Sequence, residues 1–270
     1  KQLNAQNRSV ENYSDYLEHQ QQDIAATVGA KIEYSYTLAL NGFSANLSAK
    51  QAMELSANKQ VASIVPDELR HVTAVPSTSF LGLDGPDGVW ASLGGVVHAG
   101  EGVVVGMLDT GIAPENPSFA GSPLGTTAGS DPYLSGSTIN FVKGDGATFT
   151  GICQTGVQFA ATDCSTKIVG ARYFVTGFGA GNIGGTAIGE YLSPRDGDGH
   201  GSHTSSTAAG NADVSASIEG TSFGNITGVA PAAKISTYKV CWSGPDATVT
   251  TDDGCATSDI LAAINAAIDD

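Results

Sequence analysis

The chain has 270 residues, 41% of them apolar and 14% charged, with a mean hydropathy of −0.01 and a formal net charge of −15. This is the balance of a protein that folds around a core, and the length accommodates two modest domains. The excess of acid argues against nucleic acid or an anionic membrane surface as a partner, because phosphate contacts need clustered lysine and arginine. It is unevenly spread: residues 1–73 hold six basic and eight acidic side chains, and residues 74–270 hold six and nineteen. No apolar run approaches the length needed to cross a bilayer, which argues against a membrane role. Lys1 opens a polar stretch, so the chain reads as lacking a signal peptide.

Residues 1–73 read as a small α/β unit. SDYLEHQQQDIAATVG predicts a helix capped by Ser14, with Leu17, Ile24 and Val28 on one face and Gly29 as its stop. IEYSYTLALNG then alternates, placing Ile32, Tyr34, Tyr36, Leu38 and Leu40 on one side of a strand. Asn41-Gly42 predicts a tight hairpin turn into a return strand carrying Phe43, Ala45 and Leu47. Ser48 and Gln51 form a capping box for a second helix through about Asn58. VASIV reads as a third strand closed by Pro66. The order α-β-β-α-β predicts a ferredoxin-like, open-faced sandwich.

Residues 66–101 lose periodicity and read as a linker. GVVVGMLDTGI is a short apolar run ending in a polar turn, as a buried parallel strand does. Residues 120–165 are rich in Gly, Ser and Thr and predict long surface loops. Another strand is expected over Lys234–Val240. A closing helix, TSDILAAINAAID, carries Ile260, Ile264 and Ile268 as its stripe. Strands alternating with helices imply an α/β domain with a mainly parallel sheet. A further strand should follow that helix, so residues 74–270 read as an incomplete N-terminal part of such a domain.

The cysteines fall as two close pairs, Cys153 with Cys164 and Cys241 with Cys255. Four cysteines allow three pairings, and spacing alone does not choose among them. Local pairing would close short loops, each worth about 3 kcal/mol. Two disulfides in an oxidising compartment is the reading taken, with buried free thiols as the alternative.

Asp109 stands at the carboxyl end of the VVVGML strand, followed by Thr110 and Gly111, and functional groups gather at such strand ends. An aspartic-protease site would need a second D-T-G or D-S-G, which the chain lacks, and Asp109-Thr110-Gly111 does not fit the D-x-D-type nucleophile motif that a phosphatase would need here. RDGDGHGSHTSSTAAG places His200 where a glycine-rich loop meets a short helix ended by Gly210. An imidazole there can meet a strand-end carboxylate and be held in one tautomer, which prepares a general base. The metal alternative is a calcium loop: Asp196, Asp198, His200 and Gly201 match four of its positions, but Thr207 stands where glutamate is required. His200 and His203 have the spacing to share a metal, yet no H-E-x-x-H pattern accompanies them.

VVVGMLDTGIAPENPSF and DGDGHGSHTSSTAAG together resemble the Asp and His motifs of subtilisin-like serine proteases, the subtilases. NGFSANLS, FLGL, CSTKIVGARYF, SPRDGDGHGSHT, GVAP and YKVCW resemble the cucumisin-like branch of that family. Ser202 replaces the threonine usual in its H-G-T-H motif. The resemblance implies a secreted precursor that hydrolyses protein or peptide substrates through an Asp-His-Ser triad, with no cofactor required for the chemistry. Calcium would at most be structural, and the sequence offers no support for it. Asp109 would orient and stabilise the imidazole, His200 would be the general base, His203 would be structural and Asp198 would line the substrate cleft. Thr110, Gly111 and Gly201 would shape the surroundings of the pair. Residues 1–73 would be an intramolecular inhibitory propeptide, cleaved near Thr73–Ala74.

The serine is expected beyond Asp270. GTSFG offers Ser222 as a decoy, only 22 residues after His200, without the Met-Ala/Ser-x-Pro that follows the family's nucleophile. The 270-residue stretch is therefore expected to be inactive alone. The competing readings are a non-catalytic homologue, a propeptide-type inhibitor acting on another protease, and a metal-dependent hydrolase.

Overall fold

The computed structural model describes residues 7–70 and 81–270. The first stretch forms α1 (Arg8–Thr27), β1 (Ile32–Tyr36), β2 (Gly42–Ala45), α2 (Ala49–Ser56) and β3 (Leu69–Arg70). Next come α3 (Val89–Ser92), β4 (Val104–Asp109), β5 (Tyr133–Ser135), β6 (Thr138–Val142), β7 (Thr148–Ile152) and β8 (Ile168–Tyr173). The rest holds α4 (His200–Ala209), β9 (Val214–Ile218), β10 (Thr221–Ile226), β11 (Lys234–Lys239), β12 (Cys241–Trp242), β13 (Gly254–Ala256) and α5 (Thr257–Asp269).

These elements make two compact units, and each mixes helices with sheet. One takes in residues 7–70 together with 174–180 and 255–270. The other takes in residues 81–173 and 181–254.

In the first unit α1 starts earlier than the sequence suggests. Asn7, rather than Ser14, is its N-cap and accepts from the Ser9 amide at 2.9 Å. The buried stripe runs Leu17, Gln21, Ala25, with Ile24 and Val28 at its margin. Gln21 is buried because its Nε2 donates to Tyr36 O and Asn41 Oδ1, both at 3.0 Å. Those bonds hold the β1–β2 connection open. β1 ends at Tyr36, Tyr36 pairs with Gly42, and residues 37–41 form a five-residue loop in place of the expected tight Asn-Gly turn. Asn265 of α5 caps the same loop, its Oδ1 accepting from Leu38 N at 3.1 Å. Leu40 is consequently exposed rather than in a strand. The Ser48–Gln51 capping box is present and starts α2.

VASIV is not a strand: residues 61–68 carry no strand assignment, and Ile64 and Val65 are exposed. The chain pairs only at β3, where Arg70 and Leu69 lie opposite Cys255 and Ala256 of β13. Just before it, Asp67 accepts from the Ser258 amide at 2.7 Å and from the Ser258 hydroxyl. The buried face of α5 is Ser258, Asp259, Ala262, Ala263 and Ala266. The isoleucines flank it, and Ile268 is exposed. Asp259 is fully buried because it accepts from Gly177 N at 2.9 Å, Phe178 N at 3.0 Å and Tyr34 Oη at 3.0 Å. Burial raises the carboxyl pKa of Asp259 despite those donors. Burial likewise raises the Tyr34 phenol and pushes that of Tyr36 up to about 12, so both remain protonated donors. Tyr36 spends its proton on Ser258 O at 3.1 Å.

The second unit is organised by β11, which pairs in parallel with β4 on one side and β8 on the other. β8 had no counterpart among the expected strands. Its core joins Ile112, Phe119, Ile168, Val169 and Ile235 with Ile139, Phe141 and Phe149. The last three come from β6 and β7, which with β5 form an antiparallel sheet inside the stretch expected to be loops. Cys153 and Cys164 are bonded to each other, the local pairing. Cys241 and Cys255 are disulfide-bonded as well, and no described cysteine is free. No described helix is long and apolar enough to cross a membrane.

Candidate active site

The parallel register of β4 and β11 sets Asp109 opposite Lys239 at the carboxyl ends of both strands. Beyond β4 the chain turns sharply: Gly111 has φ +115°, and a Cβ there would meet Pro194 O at 2.4 Å. Ile112 N donates to Pro194 O and Asp196 N to Ile112 O, both at 3.0 Å, which lays residues 194–196 beside the turn. α4 then begins at His200, after Gly199 in the left-handed conformation at φ +98°. Gly201 allows the final approach, since a Cβ on it would meet Gly111 O at 2.2 Å and Gly111 N at 2.8 Å.

His200 Nδ1 consequently lies 2.8 Å from Asp109 Oδ1 and 3.0 Å from Oδ2. Their side chains are only 15% and 9% exposed, so water screens the pair weakly. Asp109 Oδ1 also accepts the Thr110 amide at 2.7 Å, and Oδ2 accepts Thr204 Oγ1 at 3.0 Å. Nδ1 is thus the ring nitrogen that faces the carboxylate.

Asp196, read from sequence only as the first position of a calcium-loop pattern, is the hub of the surroundings. Its Oδ1 accepts from Thr110 Oγ1 at 2.9 Å, Gly199 N at 2.8 Å and Asp198 N at 3.1 Å. Its Oδ2 accepts from Ser202 N at 2.8 Å and Ser202 Oγ at 2.6 Å. Burial opposes the charge on Asp196, but the donors, led by Ser202 and Gly199, prevail and hold its carboxyl below the usual value. Thr110 Oγ1 in turn accepts from Gly201 N at 2.7 Å, and Ser202 Oγ from Ala113 N at 3.0 Å. One carboxylate thus joins the strand-end turn to the first turn of α4. The only signal for this in the sequence was an aspartate before glycines at a helix start, a common local cap. Thr204 left no signal, because its partner is 95 residues away.

Beneath the loop, Lys239 forms a buried ion pair with Glu190 and donates to Arg195 O at 2.7 Å. Glu190 also accepts from Tyr191 N at 2.7 Å and Ser243 N at 2.9 Å. Burial lowers the Lys239 pKa, with Glu190 opposing it. The pair fixes the backbone next to Asp196.

The other residues singled out in the sequence are placed as follows. Asp198 is exposed, and its Oδ1 accepts from His200 N at 3.0 Å. His203 is exposed on α4. Ser222 lies in the exposed strand β10, opposite Ser217 of β9, and its Oγ accepts from Gly224 N at 3.3 Å. Thr73 and Ala74 lie outside the described residues. Among the described residues no three His, Cys, Asp or Glu side chains cluster as a metal site.

Comparison with known proteins fits this geometry. The Subtilase family model matches residues 100–270, and the Peptidase inhibitor I9 model matches residues 1–73. The chain belongs to the subtilase family. Among subtilase relatives, Subtilisin-like protease SBT1.4 of Arabidopsis thaliana is 39% identical over 243 residues, covering 89% of this chain and 27% of the relative. Subtilisin-like protease SBT1.6 of the same plant is 38% identical over 242 residues, covering 89% of this chain and 28% of the relative. The chain therefore spans little more than a quarter of the length of these two relatives. The match to residues 1–73 makes it a subtilase of the precursor type, carrying an inhibitor segment ahead of peptidase-family sequence.

Proposed function

We propose that the chain is the N-terminal part of a secreted serine endopeptidase precursor acting on protein or peptide substrates. The observation that carries this reading is the contact between His200 Nδ1 and Asp109, partly buried and braced from both sides. Asp109 selects the tautomer with its proton on Nδ1. His200 Nε2 then takes the proton of a serine hydroxyl as that oxygen attacks the substrate carbonyl, and later returns it to the leaving amine. The carboxylate stabilises the imidazolium between those steps. Subtilisin is itself one of the type cases for this division of labour.

The nucleophile is supplied by sequence beyond Asp270, and Ser222 is not it. Its place in an exposed hairpin, where its hydroxyl accepts from Gly224 N, supports that exclusion. Residues 1–73 act as the inhibitory segment and are released by cleavage near Thr73–Ala74. The disulfides support an oxidising, extracellular location. Asp198 orders the helix entrance through the His200 amide and borders the non-prime side of the cleft.

The test is hydrolysis of a peptide substrate by the processed full-length gene product. Asp109→Asn should lower kcat about 10⁴-fold with KM little changed, since it leaves the shape and inverts the tautomer. The purified 270-residue chain should show no turnover. Unchanged kcat in Asp109→Asn, or turnover by the 270-residue chain, refutes the corresponding half of the reading.

A further inference from the structure

Asp109 meets His200 nearly symmetrically, at 2.8 and 3.0 Å from its two oxygens, although Nδ1 has at most one proton to donate. A carboxylate pivots readily about its terminal bond, because sp³–sp² torsions are soft. The Thr110 amide restrains Oδ1 at 2.7 Å but belongs to the adjoining residue and turns with the strand end. The restraint on Oδ2 comes from Thr204 Oγ1 at 3.0 Å, and among the described residues no other donor apart from the imidazole reaches that oxygen.

Thr204 follows His200 by four positions on α4 and therefore lies on the same helical face. One rigid turn thus carries both the imidazole and the second anchor of its partner. The hydroxyl also lies 3.2 Å from Gly201 O, the ordinary back-bond of a helical threonine. It has one proton to give, and Asp109 Oδ2 is the nearer acceptor. Branching at Cβ leaves a helical threonine two main rotamers, and in the one adopted here the hydroxyl reaches Asp109 Oδ2.

We propose that Thr204 is a positioning residue for the pair: its hydroxyl fixes the rotation of the Asp109 carboxylate, so that the Nδ1 proton of His200 is held in one well-formed hydrogen bond. This rests on the role given above to Asp109 and His200. The test is chosen to need neither a serine nor turnover. It is low-field proton NMR of the 270-residue chain, where the hydrogen-bonded Nδ1 proton resonates apart from the amides, assigned by its loss in Asp109→Ala. Thr204→Val, close in shape, should move that resonance to higher field and speed its exchange with water about tenfold, the worth of one charge-assisted hydrogen bond. Thr204→Ser should restore both. A Thr204→Val protein with the wild-type resonance and exchange rate overturns the proposal. If circular dichroism shows that the Thr204→Val substitution disturbs the fold, Thr204→Ala is compared with Thr204→Ser under the same criteria. A low-field resonance that survives Asp109→Ala overturns the Asp109–His200 pair, a failure distinct from that of Thr204 alone.

Discussion

Asp196→Asn perturbs the site's framework without touching the proposed catalytic groups. The carboxylate accepts five hydrogen bonds, three on Oδ1 and two on Oδ2. An asparagine must put an NH₂ group on one side. On the Oδ2 side it faces the Ser202 amide, and on the Oδ1 side it faces the Gly199 and Asp198 amides. The Ser202 and Thr110 hydroxyls can rotate, but a backbone N–H cannot, so at least one buried donor loses its acceptor and meets another donor. With one to two groups stranded at about 1–3 kcal/mol each, the variant should lose about 2–5 kcal/mol. The carboxyl is held below its ordinary value in the folded state. Its contribution is therefore complete above the unfolded value of about 3.9 and is lost as pH falls through the folded one. Urea unfolding of wild type and variant, followed by hydrogen exchange at amides in residues 199–209, should show the full difference at pH 7 and a narrowing gap below pH 4. A difference under about 1 kcal/mol at pH 7, or one that does not narrow in acid, refutes the reasoning.

Gly201→Ala should be as damaging by another route. Its Cβ would stand 2.2 Å from a backbone oxygen, so α4 must retreat from the turn after β4. Overpacking of this kind costs about 1–3 kcal/mol, and a displacement of the imidazole by about 1 Å should lower kcat of the full-length enzyme about 100-fold; a variant with wild-type kcat counts against the close approach. Lys167 is buried, donates to Pro231 O at 2.7 Å and Ala233 O at 2.8 Å, and has its pKa lowered to about 8 by burial, with Lys234 adding to the effect. Between pH 8 and about 10.4 the unfolded chain binds the proton that the folded chain has shed, so stability should rise with pH by about 2–3 kcal/mol from this group. Lys167→Met should abolish that rise, measured as the difference from wild type in urea; an unchanged pH dependence would show the ammonium to be ordinarily solvated.

What could be read from the chain were features with local causes. β4 announces itself as an apolar run stopped at Asp109, and the Ser48–Gln51 box marks α2 because both partners lie within one turn. β6 and β7 were hidden although Ile139, Phe141 and Phe149 point inward, because the glycines, serines and threonines around them read as loop. Long-range partners decided the rest. The Asn41-Gly42 turn opened because Gln21 and Asn265 satisfy the loop from other elements. Asp259 is buried, against the apolar pattern of its helix, because Tyr34 and two amides supply donors. At the site, Asp109 and His200 could be singled out by residue type and context, whereas Thr204 acquires its role, and Asp196 its link to Thr110, only from partners brought in by folding.

The most direct test of the central claim is fluorophosphonate labelling of the full-length gene product, freed of residues 1–73, with the modified peptide mapped by mass spectrometry. Label is expected on a serine beyond Asp270 and should be lost when His200 is changed to Ala. Label on Ser222, or no label on protein shown to be folded and processed, would contradict that claim.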